Sequence, residues 1–468
     1  MKLSRKEFLG SLGAGAALLS TPSFSANGNG AGPLLKLALF SDTHVANAHD
    51  QEMVRKIFEF AKANGVDGVL AAGDLVSDGR ISQLKLVADA WFSVFPGSKN
   101  ANGEKVEFIS CYGNRELECR HMPMSKDGSG PSADAIGRAP DAAWYDLFGE
   151  HIGDRFCVRS VKGYPVIAVH WGAERDIAGH WDKLTAGTDL SKTFFYIQHP
   201  HLSGTVFNGM KADSGEATAL LSKYPGAIAL SGHSHRSISD ERALWHGSFL
   251  SVAGGAGGVV RPFTAGRLYE NIGRLGARRN QPMPRIPHMP ETAQIDGLCQ
   301  VMILSLFPDR VEIVRHDCGI GEKAGPDWIV PHPCDGAKKT GLNREAPPQF
   351  PEGAKIDVFE REGVNRNGEK ESQIAVSFPP ARPYSAVRGR VCDYEVSAMH
   401  PDGTRIVTQY VLSENYFAPF RRFSGNVECV FARDSIPPGV KPVWSVTPFG
   451  FGGEDWESKG SVLYYSQR

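Results

Sequence analysis

Apolar runs broken by polar punctuation divide the chain into two textures. In the first, LLKLALF (34–40), DGVLAAGD (67–74), VEFISCYGN (106–114), YPVIAVHWG (164–172), KTFFYIQHPH (192–201) and GAIALSGHSH (226–235) are short apolar stretches. Nearly all of them run into polar, ligand-capable residues at their C-terminal end. Short apolar runs bounded by turn signals predict buried strands. Between the first two lies DQEMVRKIFEFAKANG (50–65), where Val54, Ile57, Phe58 and Ala61 keep helical spacing. Asp50 is placed to cap that helix, and Asn64-Gly65 to stop it. Strands alternating with a helix predict a layered α/β domain over 33–330.

The second texture follows a Pro/Gly-rich connector, DWIVPHPCDGAKKTGLNREAPPQFPEG (327–353), with the linker placed at 331–350. Beyond it come QIAVSFP, RVCDYEVSAMH, TRIVTQYVLS, NVECVFARDSIPPG and KPVWSVTPFGFGG, short alternating runs separated by turn signals. That spacing predicts an all-β sandwich over 351–468. Neither a repeat nor a low-complexity tract interrupts the two.

A chain of 468 residues exceeds one ordinary core, which agrees with two domains. The formal net charge of -1 supplies no field to attract nucleic acid, so none is predicted as a partner. Eight cysteines occur without a C-x-x-C pair, which argues against a zinc ribbon. Cys392 and Cys429 are placed either to pair across the sandwich or to remain buried thiols. The start, MKLSRKEFLGSLGAGAALLSTPSFSA, has a basic head, an apolar run from Phe8 to Leu19 and small residues at Ser23 and Ser25. This is the layout of a signal peptide over 1–25, with a partial twin-arginine character, and it predicts export to the periplasm or beyond. The run is too short for a comfortable membrane span, and no other segment is apolar enough for one.

The strand-end residues form a constellation: Asp42-Thr43-His44, Gly73-Asp74, Gly113-Asn114, His199, and Gly232-His233-Ser234-His235. Imidazole and carboxylate together suit Zn, Fe or Mn, and the set is large enough for two divalent or trivalent ions. A carboxylate such as Asp74 can bridge a pair of ions that clamps a phosphoryl group for in-line displacement. Asn114 adds a neutral oxygen, which leaves the site net positive toward phosphate. His201 either touches substrate or lines the mouth; Asp78 braces its loop, His170 belongs to the core, and His49 and His121 are solvated. The GGAGGVV run (254–260) lacks the spacing of a phosphate-binding P-loop and reads as a tight loop near the site. The aromatic run FGFGGEDW (449–456) is assigned to core packing or to partner contact.

In this order the motifs D-x-H, GD, GN, H and GHxH resemble the calcineurin-like metallophosphoesterase family. The resemblance covers Leu34 to His235 by motif. It implies a four-layer αββα sandwich with a dinuclear site: Asp42, His44 and His235 on the first metal, Asp74 bridging, and Asn114, His199 and His233 on the second. It also implies that a hydroxide between the metals attacks a phosphoester or phosphoanhydride. The tyrosine ligand of the purple acid phosphatases is not seen here, and SDTH fits the non-purple branch. The C-terminal module is similar to immunoglobulin or fibronectin type III domains, without diagnostic motifs.

One position departs from the family pattern. Most members carry histidine after this asparagine, with a role in protonating the leaving oxygen or stabilising the transition state; here the residue is Arg115. A guanidinium stays charged and cannot serve as a general acid, but it can grip phosphate oxygens in a bidentate fork. Arg115 therefore favours phosphoanhydride or aryl leaving groups over simple alkyl esters. A similar GNR followed by an acidic residue occurs in the UDP-diacylglucosamine pyrophosphatases of the same superfamily. The catalytic set expected from sequence is thus Asn114, Arg115 and His201, acting on a small phosphorylated substrate. Two rival readings share these residues. One is a nucleotide or phospholipid-headgroup phosphodiesterase. The other is a catalytically impaired surface- or carbohydrate-binding protein with a structural metal site, its sandwich contacting a partner.

Overall fold

A computed structural model describes residues 32–121, 140–153, 155–209, 211–258, 260, 270, 298–336, 347–365, 369–382, 391–413, 416, 425–450, 458–460 and 462–466. The expected signal peptide lies outside the described residues. Among these, no helix is long and apolar enough to cross a membrane.

The first part of the chain contributes β1 (Leu35–Phe40), β2 (Gly68–Ala71), β3 (Glu107–Ser110), β4 (Phe156–Val161), β5 (Tyr164–Val169), β6 (Phe194–Gln198) and β7 (Ala227–Ser231). There follow β8 (Leu244–His246), β9 (Leu250–Ala253), β10 (Gln300–Leu306), β11 (Arg310–Asp317), β12 (Glu322–Lys323) and β13 (Trp328–Pro331). They form two sheets. One runs β12-β11-β10-β1-β2-β3, with β13 paired to β11; the other runs β4-β5-β6-β7-β9-β8. The pairs β1–β2–β3 and β5–β6–β7–β9 are parallel, so both sheets send the C-terminal ends of these strands the same way.

The helices are α1 (Ala48–Ala63), α2 (Ile81–Val94), α3 (Pro140–Phe148), α4 (Ile177–Leu184) and α5 (Glu216–Leu221). Alternation along β6 shows how the layers stack, because successive strand side chains point to opposite faces. Phe195 and Ile197 join one core with β1, β2 and helices α1 and α2. Phe194 and Tyr196 face the other way, into a core with Ile177 and Trp181 of α4 and Leu220 and Leu221 of α5. Helices cover one face, the two sheets meet in the middle, and helices cover the far face. This is a four-layer αββα sandwich. Strands buried on both faces read as unbroken apolar runs rather than alternating ones.

The C-terminal part folds as β14 (Asp357–Val364), β15 (Lys370–Phe378), β16 (Val391–Met399), β17 (Arg405–Leu412), β18 (Val427–Ala432), β19 (Val443–Gly450), β20 (Ser458–Lys459) and β21 (Leu463–Ser466). One antiparallel sheet runs β14-β15-β18, the other β17-β16-β19-β20, with β21 also on β19. Val376, Phe378 and Phe431 of the first share a core with Tyr394, Val396, Trp444 and Val446 of the second, which is the layout of a β-sandwich.

Two local expectations are corrected, and a third, left open between two alternatives, is decided. Helix α1 is capped by Asn47, whose side chain accepts the His49 and Asp50 amides; Asp50 lies one turn inside and accepts the Ala46 amide at 3.0 Å. The start of the supposed connector, Trp328–Pro331, is strand β13, because its apolar residues Trp328 and Val330 are buried against β11. Cys392 and Cys429 are both buried, and no disulfide joins any of the described cysteines.

Candidate metal centre

The ligand-capable residues lie where the sequence pattern puts them, at the C-terminal ends of β1, β2, β3, β6 and β7, on one edge shared by the two sheets. Two donor clusters form there: Asp42, His44, Asp74 and His235 in one, and Asp74, His199 and His233 in the other, the donor atoms of each within 4.8 Å of one another. Asp74 belongs to both. Its Oδ2 lies 3.6 Å from His44 Nε2 and 3.2 Å from His199 Nε2. His235 Nε2 is 3.3 Å from Asp42 Oδ1 and 3.2 Å from His44 Nε2.

Two unprotonated ring nitrogens so close would repel, so either a proton or a cation must lie between them. Asn114 Oδ1 is buried without a hydrogen-bond partner among the described residues. A buried carbonyl oxygen left so exposed to desolvation is costly unless something binds it. The donor set, imidazole with carboxylate and a carboxamide oxygen, is the one that borderline divalent metals prefer. The residues fit two metal ions.

Backbone geometry supports the same reading. Asp42 (φ 53°), His44 (47°), Asp74 (51°), His233 (71°) and His235 (57°) all occupy the left-handed region. Each such residue costs about 1–3 kcal/mol and persists only where surroundings over-determine it, which is characteristic of functional sites. The adjoining loops lock together to hold this strain. Asp42 and His44 amides donate to Gly73 and Asp74 carbonyls at 3.1 and 3.0 Å, and the Thr43 hydroxyl donates to Leu75 O at 2.7 Å. The Asp42 carboxylate accepts the His233 amide at 3.0 Å. At Gly113 and Gly232 a Cβ would strike the Asp74 and Asp42 carboxylates respectively, which explains glycine beside each ligand.

Electrostatics follow from crowding charges in a dry place. Burial alone would raise the Asp42 carboxyl, but His235, His44 and His199 hold it far below the usual carboxylate range. Burial likewise opposes Asp74, and His199 pulls it down. Burial would lower His199, yet Asp74 and Asp42 push it up to about 10. His199 Nδ1 faces Ala72 O at 2.6 Å, which turns Nε2 toward Asp74. His233 is pushed down to about 4 by burial and by His199.

Residues 35–237 match the calcineurin-like phosphoesterase family. The match spans all seven of the strand-end ligand candidates and stops short of half the chain. The chain is also similar to a dimetal phosphatase from Danio rerio, at 11% identity over 64% of this chain and 99% of that one, with a TM-score of 0.35. A purple acid phosphatase from yellow lupin seeds is similar at 13% identity over 64% of this chain and 53% of that one, with a TM-score of 0.38. Likenesses this faint add no argument to the family match. No curated protein matches the chain.

Within the matched region the remaining candidates separate. Arg115 donates its amide to Asp74 Oδ1 at 2.8 Å, so its backbone is tied to the carboxylate common to both clusters. Its side chain is 39% exposed and pairs with Glu118 at 2.6 Å. An exposed pair of this kind contributes little to stability. His201, expected either to touch substrate or to line the mouth, is engaged by neighbouring hydroxyls. It is buried, its Nδ1 and Nε2 lie 2.8 and 2.7 Å from the Ser231 and Ser234 hydroxyls, and burial pushes its pKa down to about 3. With both ring nitrogens occupied it braces the GHSH turn. Asp78 exchanges two 3.0 Å hydrogen bonds with Gln83, and His170 is buried under the Tyr112 ring. The GGAGG loop packs against the SDTH turn, Gly257 N donating to Ser41 O at 2.7 Å.

Two residues had escaped notice. The buried Glu116 carboxylate accepts the amides of Asp74 (3.0 Å), Leu75 (2.7 Å), Val76 (3.2 Å) and Gly113 (2.6 Å), binding the GD and GN loops into one unit. Burial and then Asp74 push its pKa up to about 7. The one sequence signal was an acidic residue directly after GNR. Trp171 follows β5 and sets its ring 5.8 Å from that of His199 and 5.1 Å from that of His233, forming an apolar wall beside the second cluster.

Proposed function

We propose that this protein is an exported, dinuclear metal-dependent phosphohydrolase selective for substrates with good leaving groups. The observation that carries the reading is the pair of donor clusters sharing Asp74. Asp42, His44 and His235 would hold one ion and Asn114, His199 and His233 the other, with Asp74 common to both. Bound there, the ions would supply Lewis acidity toward phosphoryl oxygens and activate water at neutral pH.

The chain's own groups do the rest. Asn114 contributes an oxygen without charge, so the centre stays positive toward an anionic phosphate. Arg115, anchored to Asp74 through its amide, would turn its guanidinium from Glu118 to a phosphoryl oxygen as charge develops. It has no proton to give to a leaving alkoxide. A leaving phosphate, whose second pKa is about 6, needs none. Phosphoanhydrides and aryl esters are therefore the favoured class. Export is supported by the basic-then-apolar N-terminal sequence.

The test is a rate comparison of metal-loaded wild type and Asp74→Asn. Substrates would be a nitrophenyl monoester, a nitrophenyl diester, a nucleoside diphosphate sugar and an alkyl phosphate. Turnover that vanishes in the variant and is lowest on the alkyl ester is expected. Equal rates on alkyl and aryl esters would refute the leaving-group assignment. No turnover by a protein carrying two metals would refute catalysis.

A further inference from the structure

The loops that carry the first donor cluster touch the C-terminal sandwich on their far side, by two routes. The first starts at His235. The segment after it is pinned by Ile238 N donating to Gln300 Oε1 and Gln300 Nε2 donating to Ser237 Oγ, both at 2.9 Å. Arg315, wholly buried, donates to Ile238 O at 2.9 Å and to Glu241 Oε1 at 2.8 Å. Arg242 grips Asp240 with Nε at 2.8 Å and Nη2 at 2.5 Å, and the Tyr416 hydroxyl donates to the same carboxylate at 3.2 Å. Tyr416 lies in the C-terminal part, 176 residues further along.

The second route starts at the SDTH turn. Gly257 holds Ser41 O, and its neighbours Ala256 and Val260 join Leu298 in an apolar cluster with Cys392, Leu412 and Tyr416 of the sandwich. Both routes end on ligands of one cluster, Asp42, His44 and His235, all three with positive φ. Strained backbone of this kind needs fixed neighbours.

We infer that the C-terminal sandwich holds the first donor cluster in its metal-binding conformation, with Tyr416 and Leu412 as positioning residues. The inference rests on the dinuclear reading above. It gives the sandwich a function inside the chain: it is the back wall of half the metal centre. Loosening the contact lets the left-handed turns relax and weakens one metal site more than the other.

The test uses the full-length chain with Tyr416→Phe, Leu412→Ala, and both together. Tyr464→Ala serves as control, on a side chain 67% exposed in the same domain. Zn²⁺ binding is titrated against a chromophoric chelator, with circular dichroism to confirm the fold. Coupling through packed networks predicts that one of two sites weakens by about threefold to thirtyfold. Turnover at limiting metal should fall in parallel and return when excess Zn²⁺ is added, which a general loss of structure would not allow. The control should bind both ions as wild type does. If Leu412→Ala unfolds the chain, Tyr416→Phe alone decides. Unchanged affinity at both sites in a folded double variant overturns the inference, as does a loss of turnover that metal does not restore. A wild-type chain that takes up no Zn²⁺ overturns it together with the reading beneath it.

Discussion

The two edges of the phosphoesterase sheets make opposite use of charge. At the C-terminal edge, Asp42 and Asp74 are buried, crowded by histidines, and held on strained backbone. At the N-terminal edge lies a cavity of about 730 Å³ rimmed by Lys105, Glu107, Arg159, Lys162, Asp189 and Lys192. Every charge there has a partner: Lys105 and Arg159 pair with Glu107 and Glu150, Lys162 with Asp67, and Lys192 with Asp189. This hollow is electrostatically finished. The opposite edge gathers the donor clusters instead. Buried carboxylates crowded by imidazoles on left-handed backbone are better guides to a site than concavity is.

The comparison can be broken from either side. Asp74→Asn removes the shared carboxylate and should lower turnover by about a thousandfold, ~4 kcal/mol of transition-state stabilisation, read as kcat/KM at saturating metal. Glu116→Gln sets an amide NH₂ against backbone donors that now share two oxygens. It should weaken metal binding by roughly tenfold to a hundredfold in a chelator competition, because groups behind the ligands orient them. Arg115→His restores a proton donor; the ratio of alkyl to aryl ester rates should rise about tenfold or more. Lys162→Ala at the opposite edge removes an ion pair whose lysine is 58% exposed. It should shift unfolding free energy by no more than about 1 kcal/mol and leave turnover and metal affinity untouched. A large loss from Lys162→Ala would mean that the two edges are not so different.

What could be read in the sequence is local. Asp42, His44, Asp74, Asn114, His199, His233 and His235 each follow an apolar strand within a few residues, so strand ends and topology bring them together. A layered α/β domain follows from strands apolar on both faces, while the count of four layers came only with the family resemblance. What escaped depends on how segments distant in sequence meet. His201 lies only two residues beyond His199, and the Ser231 and Ser234 hydroxyls that occupy its ring come from another strand end. Glu116 acts on amides 40–42 residues away, and Tyr416 reaches Asp240 across 176. Such contacts leave no periodicity. The Asn47 cap was hidden because Asp50, also a good capping type, stands three residues on, inside the first turn.

The most direct test of the central claim is metal content. The purified chain, loaded with Zn²⁺ or Mn²⁺ and desalted, would be measured by inductively coupled plasma mass spectrometry beside Asp74→Asn. The two clusters sharing Asp74 predict two ions per wild-type chain and fewer than one in the variant. One ion or none in the wild type, or two retained after Asp74→Asn, would contradict a dinuclear centre built on that carboxylate.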